Sequence, residues 1–218
     1  MAGTIRLNNQ KEMKYKHLIF DIDGTLLDTE YSILHSLQDT LADIQNKDLD
    51  IKELTFALGI PGEVTLRKLG VQDTKHANKI WNNNLLKYSS SIKLFDGISE
   101  LLPELQNKGY QLGIITSKNP QEFTNDFEPH NISGYFSTIL CVTDSPRPKP
   151  FADPILSYLE RTNTSKEEVI YIGDTIYDYQ CALNAGVDFG LAVWGNASRK
   201  NIDAKYFFCA PKDILEIK

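Results

Sequence analysis

Lys16-His17-Leu18-Ile19-Phe20-Asp21-Ile22-Asp23-Gly24-Thr25 passes from a short apolar run straight into paired carboxylates and a glycine. The run from His17 to Phe20 reads as a strand buried in a parallel sheet, and the residues after it read as a polar loop. Asp21 and Asp23 stand at alternate positions, so both side chains leave the strand on the same side. Gly24 lets the backbone turn sharply behind them.

Outward from this stretch, the same pattern recurs. Apolar segments at 110–115, 138–142, 169–172 and 189–193 each follow a stretch with helical character, at 99–108, 120–127, 154–161 and 176–185. In the first of these, Leu101, Leu102 and Leu105 share one helical face and Gly109 supplies the stop, as Gly186 does for the last. Strands alternating with helices predict an α/β protein built on a doubly wound parallel sheet, whose ligands bind at the carboxyl ends of the strands. Between 29 and 94 the alternation gives way to helix-like pieces at 31–44, 51–58, 63–69 and 74–88. The expected organisation is an α/β core formed by 15–28 and 95–218, with a small helical cap domain, 29–94, inserted over the end of the first strand. Residues 1–14 are polar and aperiodic, contain a second methionine, Met13, and read as an N-terminal extension.

Composition narrows the partners. The chain has 218 residues, 29 Asp+Glu against 23 Lys+Arg, a formal charge of −6, and 41% hydrophobic residues. A chain of this size buries about 70% of its unfolded surface and needs no metal or disulfide to hold a core together. The acidic balance argues against a nucleic-acid partner, because phosphate-backbone affinity comes from clustered Lys and Arg. No apolar run is long enough to span a bilayer, and the first residues lack the apolar stretch of a secretory signal, so no membrane partner and a cytoplasmic location are expected. Cys141, Cys181 and Cys209 are widely spaced and odd in number, which predicts three small buried hydrophobes. A monomer is the first expectation, with a dimer left open.

The carboxylates mark the chemistry. A second acidic pair lies in Gly173-Asp174-Thr175-Ile176-Tyr177-Asp178, again directly after an apolar strand, with Asp178 falling in the first turn of the following helix. Two bare carboxylates about 4 Å apart repel by roughly 4 kcal/mol at an effective dielectric of 20, so a cation must sit among them. Hard oxygen ligands beside a phosphate favour Mg²⁺. The other cation in a matching place is Lys149, delivered on the stiff loop Pro146-Arg147-Pro148-Lys149-Pro150. Thr116 and Ser117 end a further strand with hydroxyls and backbone N–H groups suited to anionic oxygen, with Lys118 beside them. Asp28 reads as a cap for the first helix of the insert, and Arg67 and Lys68 as candidates for a charged end of the substrate.

At these residues the chain resembles the haloacid dehalogenase-like superfamily, and within it the phosphoglycolate phosphatase and β-phosphoglucomutase-like branch. Asp21-x-Asp23-Gly24-Thr25 matches the first motif, Thr116 the second, Lys149 the third and Gly173-Asp174-x-x-x-Asp178 the fourth, and the resemblance covers about residues 16 to 210. It implies that Asp21 is a nucleophile forming an aspartyl-phosphate and that Asp23 is the general acid and base. It also implies that Thr116, Ser117 and Lys149 hold the phosphate. Mg²⁺ would be held by Asp21, the backbone carbonyl of Asp23 and Asp174, with Asp178 behind these ligands. The haloalkanoic acid dehalogenases of the superfamily lack the second Asp of the first motif, so Asp23 points to phosphoryl chemistry.

Two departures bear on the substrate. In phosphoglucomutase-like relatives an Arg follows three residues after a glycine of the cap loop; the equivalent stretch here, Gly59-Ile60-Pro61-Gly62, has Gly62 at that place. The third motif normally continues Lys-Pro-x-Pro-Asp, and Ala152 replaces its second proline. The reading is a Mg²⁺-dependent phosphatase for a small phosphorylated metabolite such as phosphoglycolate or a sugar phosphate. A phosphomutase and a non-catalytic phosphometabolite-binding protein are the alternatives.

Overall fold

The computed structural model describes residues 13–195 and 198–217. Most of the N-terminal extension read from the sequence, 1–12, lies outside the described residues. Strand β1 (His17–Phe20) is followed by the two-residue strand β2 (Leu27–Asp28) and then by helices α1 (Glu30–Gln45), α2 (Ile51–Leu54), α3 (Gly62–Lys68) and α4 (Thr74–Leu86). Strand β3 (Lys93–Leu94) precedes the alternation α5 (Ile98–Asn107), β4 (Gln111–Ile115), α6 (Pro120–Asp126), β5 (Thr138–Leu140), α7 (Asp153–Thr162), β6 (Val169–Gly173), α8 (Ile176–Ala185) and β7 (Asp188–Ala192), and β8 (Tyr206–Phe208) closes the sheet.

The main sheet has the order β5-β4-β1-β6-β7-β8, with every pairing parallel. This is the α/β, doubly wound architecture expected from the alternation. β1 is central, and the chain crosses from it to β4 on one side and later to β6 on the other. The crevice between those carboxyl ends is the topological switch point at which such sheets bind ligands. Register fixes what meets there: Phe20 lies opposite both Ile114 and Ile172, so Asp21, Thr116 and Asp174 emerge within a residue or two of the same level.

Alternation along β1 divides the core. Leu18 and Phe20 pack with Ile98, Leu102 and Leu105 of α5 on one face, whereas Ile19 packs with Tyr158 of α7 and Cys181 of α8 on the other. A third cluster consists entirely of residues from the helical segment, among them Leu34, Leu37, Leu41, Leu54, Leu66 and Trp81. Buried polar groups inside it are satisfied locally: Trp81 Nε1 donates to Ser36 Oγ at 2.9 Å and Asn84 Nδ2 to Thr40 Oγ1 at 3.1 Å.

Three features differ from the sequence reading. β2 and β3 pair antiparallel, Asp28 opposite Lys93, so the chain enters and leaves the helical segment side by side. Asp28 therefore sits in a strand, and the N-cap of α1 is Thr29. Cys141 and Cys181 are buried as expected, but Cys209 is exposed, because it follows the edge strand β8 rather than facing the core.

Candidate active site

Asp21 leaves β1 with its backbone N–H bonded to the Ile172 carbonyl at 2.9 Å, and it is 2% exposed. Its Oδ1 meets the ammonium of Lys149 at 2.9 Å. The same ammonium lies 2.7 Å from Asp178 Oδ1 and donates to Tyr171 Oη at 3.2 Å, so Lys149 is a buried cation clamped between two carboxylates. Helix initiation itself positions Asp178. It closes a capping box with Thr175 at the start of α8, accepting the Thr175 backbone N–H at 3.0 Å, and Tyr171 Oη donates to its other oxygen at 2.8 Å. Burial works against the ionised form of Asp178, but Lys149, Thr175 and Tyr171 override it and hold its carboxyl below the usual range.

Asp174 completes a triad with Asp21 and Asp178 in which one oxygen from each lies within 4.8 Å of the others. Burial and the neighbouring Asp178 and Asp21 push the Asp174 carboxyl well above its ordinary range. Burial, with Asp178 and Asp23 nearby, likewise pushes Asp21 up to about 7 in spite of Lys149. Both oxygens of Asp178 are engaged by donors, which leaves Asp21 and Asp174 as the pair short of positive charge. A divalent cation with hard-oxygen preference fits that deficit.

Asp23, Thr116, Ser117 and Lys118 form the opposite side. Thr116 is buried, and its Oγ1 accepts the Lys118 backbone N–H at 3.2 Å. The Ser117 hydroxyl donates to the Gly59 carbonyl in the helical segment at 3.0 Å. Asp23 stands outside the carboxylate triad, its Oδ1 3.0 Å from Lys118 Nζ, which is also 2.7 Å from Asp126 Oδ2. The two carboxylates hold Lys118 protonated despite its burial. This pairing was hidden in the sequence, because Asp126 lies at the end of α6 with no motif around it. Tyr171 was hidden for another reason: within an apolar strand, a tyrosine reads as core. Lys68 lies over the rings of Phe56 and Tyr177, 5.8 and 5.7 Å from their centroids.

Fold and site together define an α/β protein with acidic residues, a hydroxyl and a clamped lysine converging at the carboxyl ends of β1, β4 and β6. A family model described as haloacid dehalogenase-like hydrolase matches residues 18–192, and the chain belongs to that family. Among curated proteins it is similar to the pyrophosphatase PpaX of Bacillus velezensis, 26% identical over 92% of this chain and 94% of that one. It is also similar to a phosphoglycolate phosphatase of Aquifex aeolicus, 25% identical over 92% and 95%. A haloacid dehalogenase-like family hydrolase of known structure from Streptococcus pneumoniae superimposes with a TM-score of 0.81 at 26% identity, covering 93% of this chain and 98% of that one.

Proposed function

We propose that the protein is a Mg²⁺-dependent phosphomonoester phosphatase that works through an aspartyl-phosphate on Asp21. The observation that carries this reading is the Lys149 ammonium bridging Asp21 and Asp178 beside Asp174. Lys149 holds one oxygen of Asp21 and orients the other for in-line attack on phosphorus. As the ester P–O bond breaks, Asp23 delivers its proton to the leaving oxygen. In the second half, the Asp23 carboxylate takes a proton from water as that water's oxygen attacks the phosphorus of the aspartyl-phosphate, releasing inorganic phosphate and regenerating Asp21. The hydroxyl of Thr116 and the ammonium of Lys149 hold the phosphoryl oxygens throughout, and Asp178 positions Lys149.

Asp21, Asp174 and the backbone carbonyl of Asp23 would hold Mg²⁺. Bound there, the ion offsets the charge of the phosphate against that of the nucleophile. Helices α1 to α4, with their own apolar cluster, form a cap unit, 29–94, over a core made of 15–28 and 95–218, and the paired strands β2 and β3 are its stem. The relatives named for pyrophosphate and phosphoglycolate support phosphoryl transfer as the class of reaction.

Asp21→Asn tests the assignment. It keeps the shape of the side chain and removes the nucleophilic charge, so hydrolysis of p-nitrophenyl phosphate should fall by about 10³-fold or more while the circular-dichroism spectrum is unchanged. Chelating the divalent cation should silence the wild type to the same degree. Undiminished turnover in the folded variant would remove Asp21 from the nucleophile's place.

A further inference from the structure

Among the described residues two lysine side chains are buried, Lys149 and Lys118, and the proposed chemistry uses only the first. The backbone of Lys118 is pinned where β4 ends. Its N–H donates to Thr116 Oγ1 at 3.2 Å, and its carbonyl accepts the Val142 N–H at 2.9 Å. The next residue, Asn119, caps α6, and Asp126, the last residue of that helix, meets the Lys118 side chain.

The two carboxylates around this ammonium are not equivalent. Lys118 Nζ donates to Asp126 Oδ2 at 2.7 Å, whereas Asp23 Oδ1, 3.0 Å away, is buried and receives no hydrogen bond among the described residues. Asp126 therefore sets where the ammonium stands, and Asp23 meets its charge. The Asp126 side chain is 3% exposed and that of Asp23 15%. Of the three residues, Asp23 alone borders the cavity of about 220 Å³ that Asp174 and Gly24 also line. Its Oδ1 is taken by Lys118, which leaves Oδ2 for the reacting centre. A buried ion pair adds little to stability beside apolar packing, so stability is a weak reason for three charges here.

The contact with Lys118 is one between opposite charges, so Asp23 makes it as the carboxylate. That species acts in the second half of the reaction; in the first half Asp23 carries a proton and offers Lys118 no charge. We infer that Lys118 and Asp126 are positioning residues for hydrolysis of the aspartyl-phosphate: Asp126 stations the ammonium, and the ammonium holds Asp23 Oδ1 so that Oδ2 receives the water's proton. The water oxygen then bonds to phosphorus, the bond from phosphorus to the Asp21 oxygen breaks with its electron pair returning to that carboxylate, and phosphate leaves. This inference rests on the phosphatase reading of the same site, in which Thr116 and Lys149, not Lys118, hold the phosphoryl group.

Asp126→Asn and the double variant Lys118→Met/Asp126→Asn test it. The first keeps Lys118 paired with Asp23 and the second removes both buried charges of a pair, so neither leaves an uncompensated lysine, and circular dichroism checks each fold. The substrate is p-nitrophenyl phosphate with Mg²⁺, whose leaving group departs without a proton and so places the weight of kcat on the second step. Expected is a fall in kcat of about fivefold or more in the single variant and about twentyfold or more in the double. KM should fall in parallel, keeping kcat/KM within about threefold of wild type, because kcat/KM reports the first step alone. A burst of p-nitrophenol should appear as phosphoenzyme accumulates. A merely structural role would lower kcat and kcat/KM together without a burst, and direct contact with substrate would raise KM. Either pattern, or an unchanged kcat, overturns the inference and leaves the phosphatase reading standing. If the wild type releases no p-nitrophenol, that reading falls and takes the inference with it.

Discussion

Gly24 has no room for a side chain. Its φ is +78°, and a Cβ built on it would lie 2.1 Å from Oδ2 of Asp174. The contact links the turn of the first motif to the carboxylate of the fourth: the backbone approaches Asp174 closely because nothing projects from residue 24. Gly24→Ala adds left-handed strain and drives the Asp174 carboxylate away from Asp21, while leaving every charged group in the chain. The Mg²⁺ concentration for half-maximal activity should then rise about tenfold to a hundredfold, the usual penalty for disturbing the support of a metal ligand. The increase in Tm on adding Mg²⁺ should shrink with it, since stabilisation by a ligand follows its affinity. A Gly24→Ala protein with the Mg²⁺ dependence of the wild type would show that Asp174 is not an ion ligand.

Between elements, the contact with most bearing on turnover joins the end of β4 to the loop before α3. Ser117 Oγ donates to the Gly59 carbonyl, and Gly59, at φ +80°, lies so close to Thr175 that a Cβ would come within 2.6 Å of it. The proposed cap thus touches both sides of the carboxylate crevice through one loop. Ser117→Ala removes a hydrogen bond that exists only while the two parts are together, worth about 1 kcal/mol. A shift of that size moves a closure equilibrium roughly fivefold, so KM should rise by a similar factor and amide exchange in residues 57–62 should quicken. Unaltered exchange there would mean that this bond does not hold the cap. The elements that carry these residues were largely readable beforehand. Each strand of the switch point is an apolar run ending at a polar residue, a pattern created by burial on both faces and needing no partner to be seen. The pair β2 and β3 was not, because two residues cannot display a period, and Tyr206–Phe208 was not, because among the described residues no helix separates it from β7 to mark the alternation. The same contrast runs through the site. Asp21, Asp23, Thr116, Asp174 and Asp178 sit at strand ends and helix starts, and Lys149 in a loop with a proline on either side, places visible from local pattern. The embrace of Lys118 by Asp23 and Asp126, and the role of Tyr171, depend on which loops meet in three dimensions.

For the molecule as a whole, the formal charge of −6 is divided between buried carboxylates at the crevice and exposed ones whose pairing ties the chain's edges together. Asp188, at the start of β7, is the clearest of the second kind. Its Oδ2 meets Lys14 Nζ at 2.5 Å, accepts from Tyr15 Oη at 2.6 Å and meets Lys205 Nζ at 2.7 Å, joining the segment before β1 to the segment before β8. Partial burial opposes ionisation, but these three donors outweigh it and draw the Asp188 carboxyl down to about 2. A carboxyl whose pKa is lower in the folded chain than in the unfolded one contributes stability above the unfolded value, near 3.9, and loses it as pH falls through the folded value. Asp188 is about a third exposed, so screening reduces the contribution to about 1 kcal/mol. Asp188→Asn should therefore lower the free energy of urea unfolding by about 1 kcal/mol at pH 6, with the gap from wild type closing as pH drops from 4 towards 2. A gap that persists undiminished at the acid end would assign the stabilisation to neutral hydrogen bonding, which asparagine's own oxygen could supply in part, rather than to the ionised carboxylate gathering two lysines and a tyrosine at the edge of the sheet.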